Sequence, residues 1–224
     1  MKKKAVVCHS GGMDSSLCLA QAVEEFGAAA ILSVGFTYSQ RHLPELERAD
    51  NICAAWGVDR TVLDINCLQE ITHNSLMDKV TPFIVPEEGP PNTMVVGRNG
   101  LMARLCAIHA AHIGASIVYM GVMEGEAANS GYRDCSRHYM DLMEGIMRLD
   151  LDDPTFEIRT PLVHMTKKQS LDFGHRLGVL AYLLKETITC YEGLGGKGCQ
   201  KCPACQLRNE GIAQFLEENP EFSF

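Results

Sequence analysis

Residues 4–12 read KAVVCHSGG, a short apolar run that breaks on a serine and two glycines, and a segment of helical period follows. This juxtaposition constrains the fold more than any other stretch. An apolar run of that length bounded by a turn is a strand buried on both faces, as in a parallel sheet. Ser15 to Phe26 then carries Leu19, Ala20, Val23 and Phe26 at helical spacing, and Gly27 ends it. The alternation continues. AAAILSVGF at 28–36 reads as a second strand, and RTVLDI at 60–65 as a third. Between them Leu46, Ala49, Ile52, Cys53 and Trp56 line one face of a helix closed by Gly57. Strand and helix in turn imply an α/β fold, a parallel sheet with helices on both faces.

Residues 72–97 hold Pro82, Pro86, Pro90 and Pro91 and read as a long loop, of the kind that is usually functional or mobile. A helix is expected over 99–113, the strand SIVYMGV after it, and a loop over 123–136. The next helix places Met140, Met143 and Met147 on one side, where they read as core. TPL at 160–162 precedes another helix, in which Thr166 and Gln169 have capping-box spacing. A closing helix is expected from about 203 to 217.

With 224 residues, 46% of them hydrophobic, the chain suits one large domain or a core with a small appendage. A formal net charge of −8 argues against broad electrostatic binding of nucleic acid. No apolar run approaches the roughly 20 residues that span a bilayer. The basic start, Met1 to Lys4, is followed only by AVVC, too short for a signal peptide. A cytoplasmic protein is expected.

The ten cysteines divide into two groups. Cys8, Cys18, Cys53, Cys67, Cys106 and Cys135 are scattered, mostly in apolar patterns, and read as small buried hydrophobes. Cys190, Cys199, Cys202 and Cys205 form C-x₈-C-x₂-C-x₂-C. Four thiolates suit tetrahedral Zn²⁺, with an iron–sulfur cluster as the alternative. Gly193, Gly195, Gly196 and Gly198 make the first spacer a turn, and Lys197, Lys201 and Arg208 offset the negative charge. A closed site of this kind stabilises a segment with little core of its own.

HSGGMDSS at 9–16 lies between the first strand and the first helix. A helix start presents unpaired N–H groups and a positive dipole end, which together bind phosphate. Gly11 and Gly12 let the backbone approach, and Ser10 and Ser15 supply hydroxyls. Asp14 beside phosphates implies an intervening cation, Mg²⁺. No Gly-Lys-Ser/Thr is present, so this is not a Walker loop. The S-G-G-x-D-S pattern resembles the PP-loop of ATP pyrophosphatases, which adenylate a carboxylate or carbonyl oxygen and release pyrophosphate.

Further motifs extend the likeness: YSQRH at 38–42, PNTMVVGRN at 91–99, SGYRDC at 130–135, TPL at 160–162, Lys167, and ETITCYEG…GCQKCPACQLR at 186–208. In this order they resemble the 7-cyano-7-deazaguanine synthase family (QueC, also called ExsB) over nearly the whole chain. That resemblance implies a PP-loop ATP-binding α/β domain over 1–185 and a zinc module with a closing helix over 186–224. It implies ATP, Mg²⁺ and Zn²⁺ as cofactors, a homodimer, and conversion of 7-carboxy-7-deazaguanine and ammonia to the nitrile. ATP would be held by Ser10, Gly11, Gly12, Asp14, Ser15 and Phe36. Asp14, Lys167, Arg98 and His42 would carry the chemistry. Gln40, Arg41, Arg98, Asn99, Ser130, Gly131, Tyr132 and Asp134 would hold the substrate. Arg98 suits a carboxylate through its fork, Asn99 and Asp134 suit a base edge, Tyr132 suits stacking, and Lys167 suits phosphate charge.

The departures from the family's pattern gather where substrate is expected. Thr37 and Ser39 replace Asp and Gly, and Val96 replaces Pro. The loop GVMEGEAANSGY is about two residues longer than usual and lacks an expected Asp, and Arg133 and Ser136 replace Pro and Arg. Three other readings follow. A related enzyme of anti-phage operons would couple the same acid to a protein amine. A nucleic-acid-binding zinc module on an inactive ATP fold would show RNA binding without turnover. A tRNA-thiolating PP-loop enzyme would need Cys8, Cys18 or Cys135 as sulfur carrier.

Overall fold

The computed structural model describes residues 2–38, 43–72, 92–127 and 132–224. In chain order the elements are β1 (Ala5–Cys8), α1 (Met13–Phe26), β2 (Ile31–Thr37), α2 (Leu43–Trp56), β3 (Asp59–Asp64) and α3 (Leu68–Ile71). They continue with α4 (Arg98–Ile113), β4 (Ile117–Met120), α5 (Glu124–Ala127), α6 (Arg137–Leu151) and β5 (Glu157–Arg159). The last three are α7 (Lys167–Arg176), α8 (Leu180–Glu186) and α9 (Pro203–Glu218).

The strands pair in the order β3-β2-β1-β4-β5, all parallel, with Ala5 facing Ile31 on one side and Ile117 on the other. Side chains alternate across this sheet. Val6, Val34, Val118 and Met120 join α4 and α6 in one apolar cluster. Ala5, Val7, Ile31 and Tyr119 join α1, α2, α7, α8 and α9 in the other. Helices therefore cover both faces, as strand–helix alternation required. The chain leaves β1 toward β2 and β3, then returns to the opposite side for β4 and β5. The strand order thus reverses between β1 and β4, and ligands of open α/β sheets bind outside the carboxyl ends at such a point.

Several expectations shift for local reasons. Residues 28–30 form a 3₁₀ turn before β2, not part of the strand. The 123–136 loop contains α5 and a second 3₁₀ turn, Arg133–Cys135. Of the long 72–97 loop, residues 73–91 lie outside the described residues. Cys18, Cys53, Cys106 and Cys135 are buried as expected, but Cys67 is exposed at the start of α3 and Cys8 half-buried. Met140 and Met147 are fully buried, and Met143 packs at the edge of the same cluster. The capping box of α7 is complete: the Gln169 N–H donates to Thr166 Oγ1 at 3.2 Å, and the Thr166 N–H to Gln169 Oε1 at 2.8 Å. Among the described helices, none is long and apolar enough to cross a membrane.

Candidate functional site

β1 ends at Cys8, and residues 9–12 turn the chain into α1 at the reversal point. Gly11 takes φ +97°, in the region that favours glycine. A Cβ there would stand 2.0 Å from the Glu45 carbonyl oxygen and 3.0 Å from the Ala49 nitrogen. Gly11 is thus required by close approach of the loop to α2. Gly12 has more room, with a Cβ position 3.4 Å from Ser10 Oγ. From the β4 side, Gly121 presses on the start of α1, its Cβ position 2.8 Å from the Ser15 nitrogen. The two glycine contacts hold the loop between the strands and α2.

The hydroxyls are tied into this turn. Ser15 Oγ donates to the Gly12 carbonyl at 3.1 Å and accepts from the Ser10 N–H at 3.2 Å. Beneath it His9 is wholly buried, with Nδ1 3.1 Å from Ser33 Oγ and Nε2 3.0 Å from Ser16 Oγ. Burial and the nearby Arg60 charge lower its pKa to about 3, so it stays neutral and props the loop.

Asp14, in the first turn of α1, meets Lys167 at the start of α7. The Lys167 ammonium donates to both Asp14 oxygens, at 2.9 and 3.0 Å, and lies 3.3 Å from Met123 Sδ. Its stem is clamped by α9, where a Cβ on Gly211 would come within 2.7 Å of Lys167 Cγ. The cation expected beside Asp14 therefore has a counterpart in the protein itself.

Across the loop, Arg98 opens α4. It donates to Tyr38 Oη at 3.4 Å and lies 5.5 Å from the centre of that ring. Desolvation alone would lower its pKa, but Tyr38, Asp134, Tyr132 and Tyr191 outweigh that and raise it. Asp134 is buried and its Oδ2 accepts from the Asn99 N–H at 2.9 Å, closing the start of α4. The Asn99 amide donates to Cys135 Sγ at 3.2 Å. Both residues expected to read a base edge are thus engaged within the protein. Tyr132 is half-buried with its hydroxyl on Thr93 Oγ1. Phe36 is buried in the cluster beneath α4. Val96, at the family's proline position, is 85% exposed. Gln40, Arg41, His42, Ser130 and Gly131 lie outside the described residues.

Three side chains that sequence reasoning gave no role lie beside Arg98. Tyr38 closes β2, and Glu45 stands in the first turn of α2, its Oε1 3.9 Å from the Cβ position of Gly12. Burial, partly opposed by Arg98, raises the Glu45 carboxyl to about 7. Tyr191 arrives from the cysteine segment, and burial raises its hydroxyl too. Tyr38 and Tyr191 lie in the YSQRH and ETITCYEG motifs; an acidic residue in the first turn of a helix, as Glu45 is, carries no special signal.

The segment bearing Tyr191 passes the loop at Ile188, whose carbonyl oxygen is 3.7 Å from the Gly12 Cβ position. It leads into the four cysteines. Their sulfurs all lie within 4.8 Å of one another, with Cys199 and Cys205 at 3.9 Å. Tetrahedral zinc with Zn–S near 2.3 Å needs sulfurs about 3.8 Å apart. Backbone N–H groups of Glu192 and Cys199 donate to Cys190 Sγ, each at 3.3 Å, and that of Cys202 to Cys199 Sγ at 3.3 Å. Such donors favour thiolates. Gly198 has φ +62°, and a Cβ there would sit 2.4 Å from Cys205 Sγ. The cradle therefore fits a metal ion. Arg208 anchors it, bonding to the carbonyls of Gly196 and of Leu184 in α8.

The family model of queuosine biosynthesis protein QueC matches residues 4–216. Among solved structures, the chain is similar to NMN synthetase from Francisella tularensis, with TM-score 0.51 and 14% identity over 100% of this chain and 89% of that one. It is similar to NH3-dependent NAD synthetase from Campylobacter jejuni, with TM-score 0.50 and 16% identity over 99% and 76%. A further likeness, TM-score 0.49 and 15% identity over 97% and 67%, is to the U34-tRNA thiolase NcsA from Methanococcus maripaludis. The two synthetases, at these identities, show a shared fold.

Proposed function

The chain belongs to the QueC family, and from that premise we propose that it adenylates the carboxylate of 7-carboxy-7-deazaguanine with ATP, couples it to ammonia to give the amide and AMP, and with a second ATP activates the amide oxygen, which leaves with AMP as 7-cyano-7-deazaguanine forms. The observation that supports this most is a glycine turn at a helix start with a half-buried arginine beside it. The loop with Asp14 and Lys167 lies at the sheet's reversal point, and Arg98 faces Glu45 beside it.

In this reading Ser10, Gly11, Gly12 and Ser15 hold the ATP phosphates at the start of α1, where N–H groups and the helix dipole favour anions. Mg²⁺ on Asp14 would neutralise the leaving pyrophosphate. Lys167, beside Asp14, supplies positive charge as it builds on the phosphates. Arg98 grips the acid's carboxylate and keeps one oxygen directed at the α-phosphate. Tyr38, Tyr132 and Tyr191 wall the cleft against water. His42, Gln40, Arg41, Ser130 and Gly131 are proposed to complete the substrate side. The four cysteines hold structural zinc, since four thiolates leave no open position for catalysis. Residues 186–224 then act as a module that carries Tyr191 to the cleft.

The test is to incubate the protein with ATP, Mg²⁺, the deazaguanine acid and either ammonia or a candidate protein, and to record product masses. The nitrile is expected with ammonia. A deazaguanine adduct on the protein amine, with no nitrile, would transfer the reaction to the anti-phage type. No acid-dependent product with either would remove the reading.

A further inference from the structure

An amine attacking an acyl adenylate forms the C–N bond with its lone pair. The C–O bond to AMP breaks and AMP leaves with that electron pair. A proton remains on the nitrogen and must be taken up, which requires a base near the reacting carbon.

The described residues around the loop offer five candidates, and four are committed. His9 is sealed between Ser16 and Ser33 beneath the loop. Asp14 is paired with Lys167. Asp134 accepts the Asn99 N–H. Glu186 is paired with Arg48 at 3.0 Å. Glu45 is different. The Gly11 contact fixes the first turn of α2 against the loop, and Oε1 lies 3.9 Å from the Gly12 Cβ position. Among the described residues its carboxylate makes no hydrogen bond or ion pair. Among the described residues, the charged or titratable groups facing it are Arg98 from α4, Tyr38 from the end of β2 and Tyr191 from the cysteine segment. An acid gripped by Arg98 with its phosphate partner on Gly12 places the reacting carbon between those two residues, beside Glu45.

Resting on the functional reading above, we propose that Glu45 is a catalytic residue that accepts the proton from the attacking ammonia. The carboxylate becomes a carboxylic acid as the amide and AMP form, and it returns its proton to solvent after product release. Its folded pKa, raised to about 7 by burial, matches it to a proton of this kind near neutrality.

The experiment separates activation from transfer in the full-length, metal-loaded protein. Activation is read as acid-dependent exchange of labelled pyrophosphate into ATP without ammonia. Transfer is read as amide and nitrile formation with uncharged ammonia held constant across pH. Glu45→Gln is expected to keep exchange within about threefold of the native protein and to slow transfer by about 100-fold or more. The native transfer rate should rise through about pH 7, and the variant should lose that limb. Glu45→Asp should recover part of the rate. Transfer at the native rate in Glu45→Gln would overturn the proposal and leave the functional reading standing. Loss of exchange in that variant with its metal content and melting temperature unchanged would also overturn it, moving Glu45 to acid or ATP binding. Absence of acid-dependent exchange in the native protein would remove the functional reading, and this assignment with it.

Discussion

The loop at residues 9–15 and the cysteine cradle at 190–205 are both glycine-rich turns leading into helices, α1 and α9, yet they are held in opposite ways. The loop is locked by packing. Gly11 abuts α2, Gly121 abuts α1, and a neutral His9 props the turn from below. The cradle has little apolar material: its buried cluster is Cys190, Cys202 and Cys205, with Tyr191, Cys199 and Ala204 at the edge. The proposed phosphate loop is held by the core, whereas the cradle depends on what its thiolates bind. Each is therefore vulnerable in its own way: the loop to a change of charge or shape, the cradle to loss of metal.

The largest effect expected on this contrast comes from Asp14→Asn. It removes the carboxylate beside the phosphates without disturbing Gly11 or His9. Pyrophosphate release should fall on the order of a thousandfold, with zinc content unchanged and the melting temperature lowered only by the loss of the Asp14–Lys167 ion pair. Turnover near the native rate would show that the packed loop is not the ATP site.

Cys202→Ser strikes the cradle instead. The native protein should carry about one zinc per chain, and the variant much less. Loss of about 3 kcal/mol of metal-linked stability lowers the melting temperature of a chain this size by roughly 6–12 °C. Elemental analysis and thermal scans check both. Iron in the native protein, with its brown absorbance, would replace zinc in this account.

Arg98→Ala tests whether the cleft beside the loop binds the acid. It removes a charge-assisted pair of about 2–3 kcal/mol, which lowers acid-dependent AMP formation by about 30- to 150-fold. A companion variant that shortens 123–128 by two residues should leave AMP formation nearly intact and change which amine is accepted. Equal losses of AMP formation in both would merge the two roles.

The smallest effect concerns the prop. His9 has a folded pKa of about 3 against 6.5 unfolded. The unfolded chain therefore binds the extra proton, and stability falls as pH drops from about 6.5 toward about 3. The slope is about 1.4 kcal/mol per pH unit from this residue. His9→Asn should flatten that slope in denaturant titrations, whatever its cost at neutral pH. An unchanged slope would mean that His9 does not stay neutral in the fold.

These regions were unequally legible in the sequence. β1, the loop and α1 could be read because the strand, the breakers and the helical period are contiguous. The cradle could be read because its four ligands fall within residues 190–205. β5 could not, since it is three residues long at the sheet edge with only Ile158 fully buried between Glu157 and Arg159. α8 begins at Leu180 behind Val179, which offers no polar side-chain cap, so no start signal marks it. Glu45, Tyr38 and Tyr191 belong to one cleft only because α2, β2 and the cysteine segment converge on the loop. That convergence is tertiary, and the local pattern at each residue is ordinary. Asp134 and Asn99 show the converse. Their polar groups suited a ligand in sequence, but the fold engages them at the start of α4.

An enzyme of the proposed kind makes an adenylate from a deazaguanine acid at this site. The most direct measurement is the nucleotide product formed by the native protein with ATP, Mg²⁺, ammonia and 7-carboxy-7-deazaguanine, resolved by chromatography with and without the acid. AMP and pyrophosphate are expected only when the acid is present, and neither is expected in Asp14→Asn. ADP and orthophosphate, or AMP formed equally without the acid, would contradict the proposed adenylation.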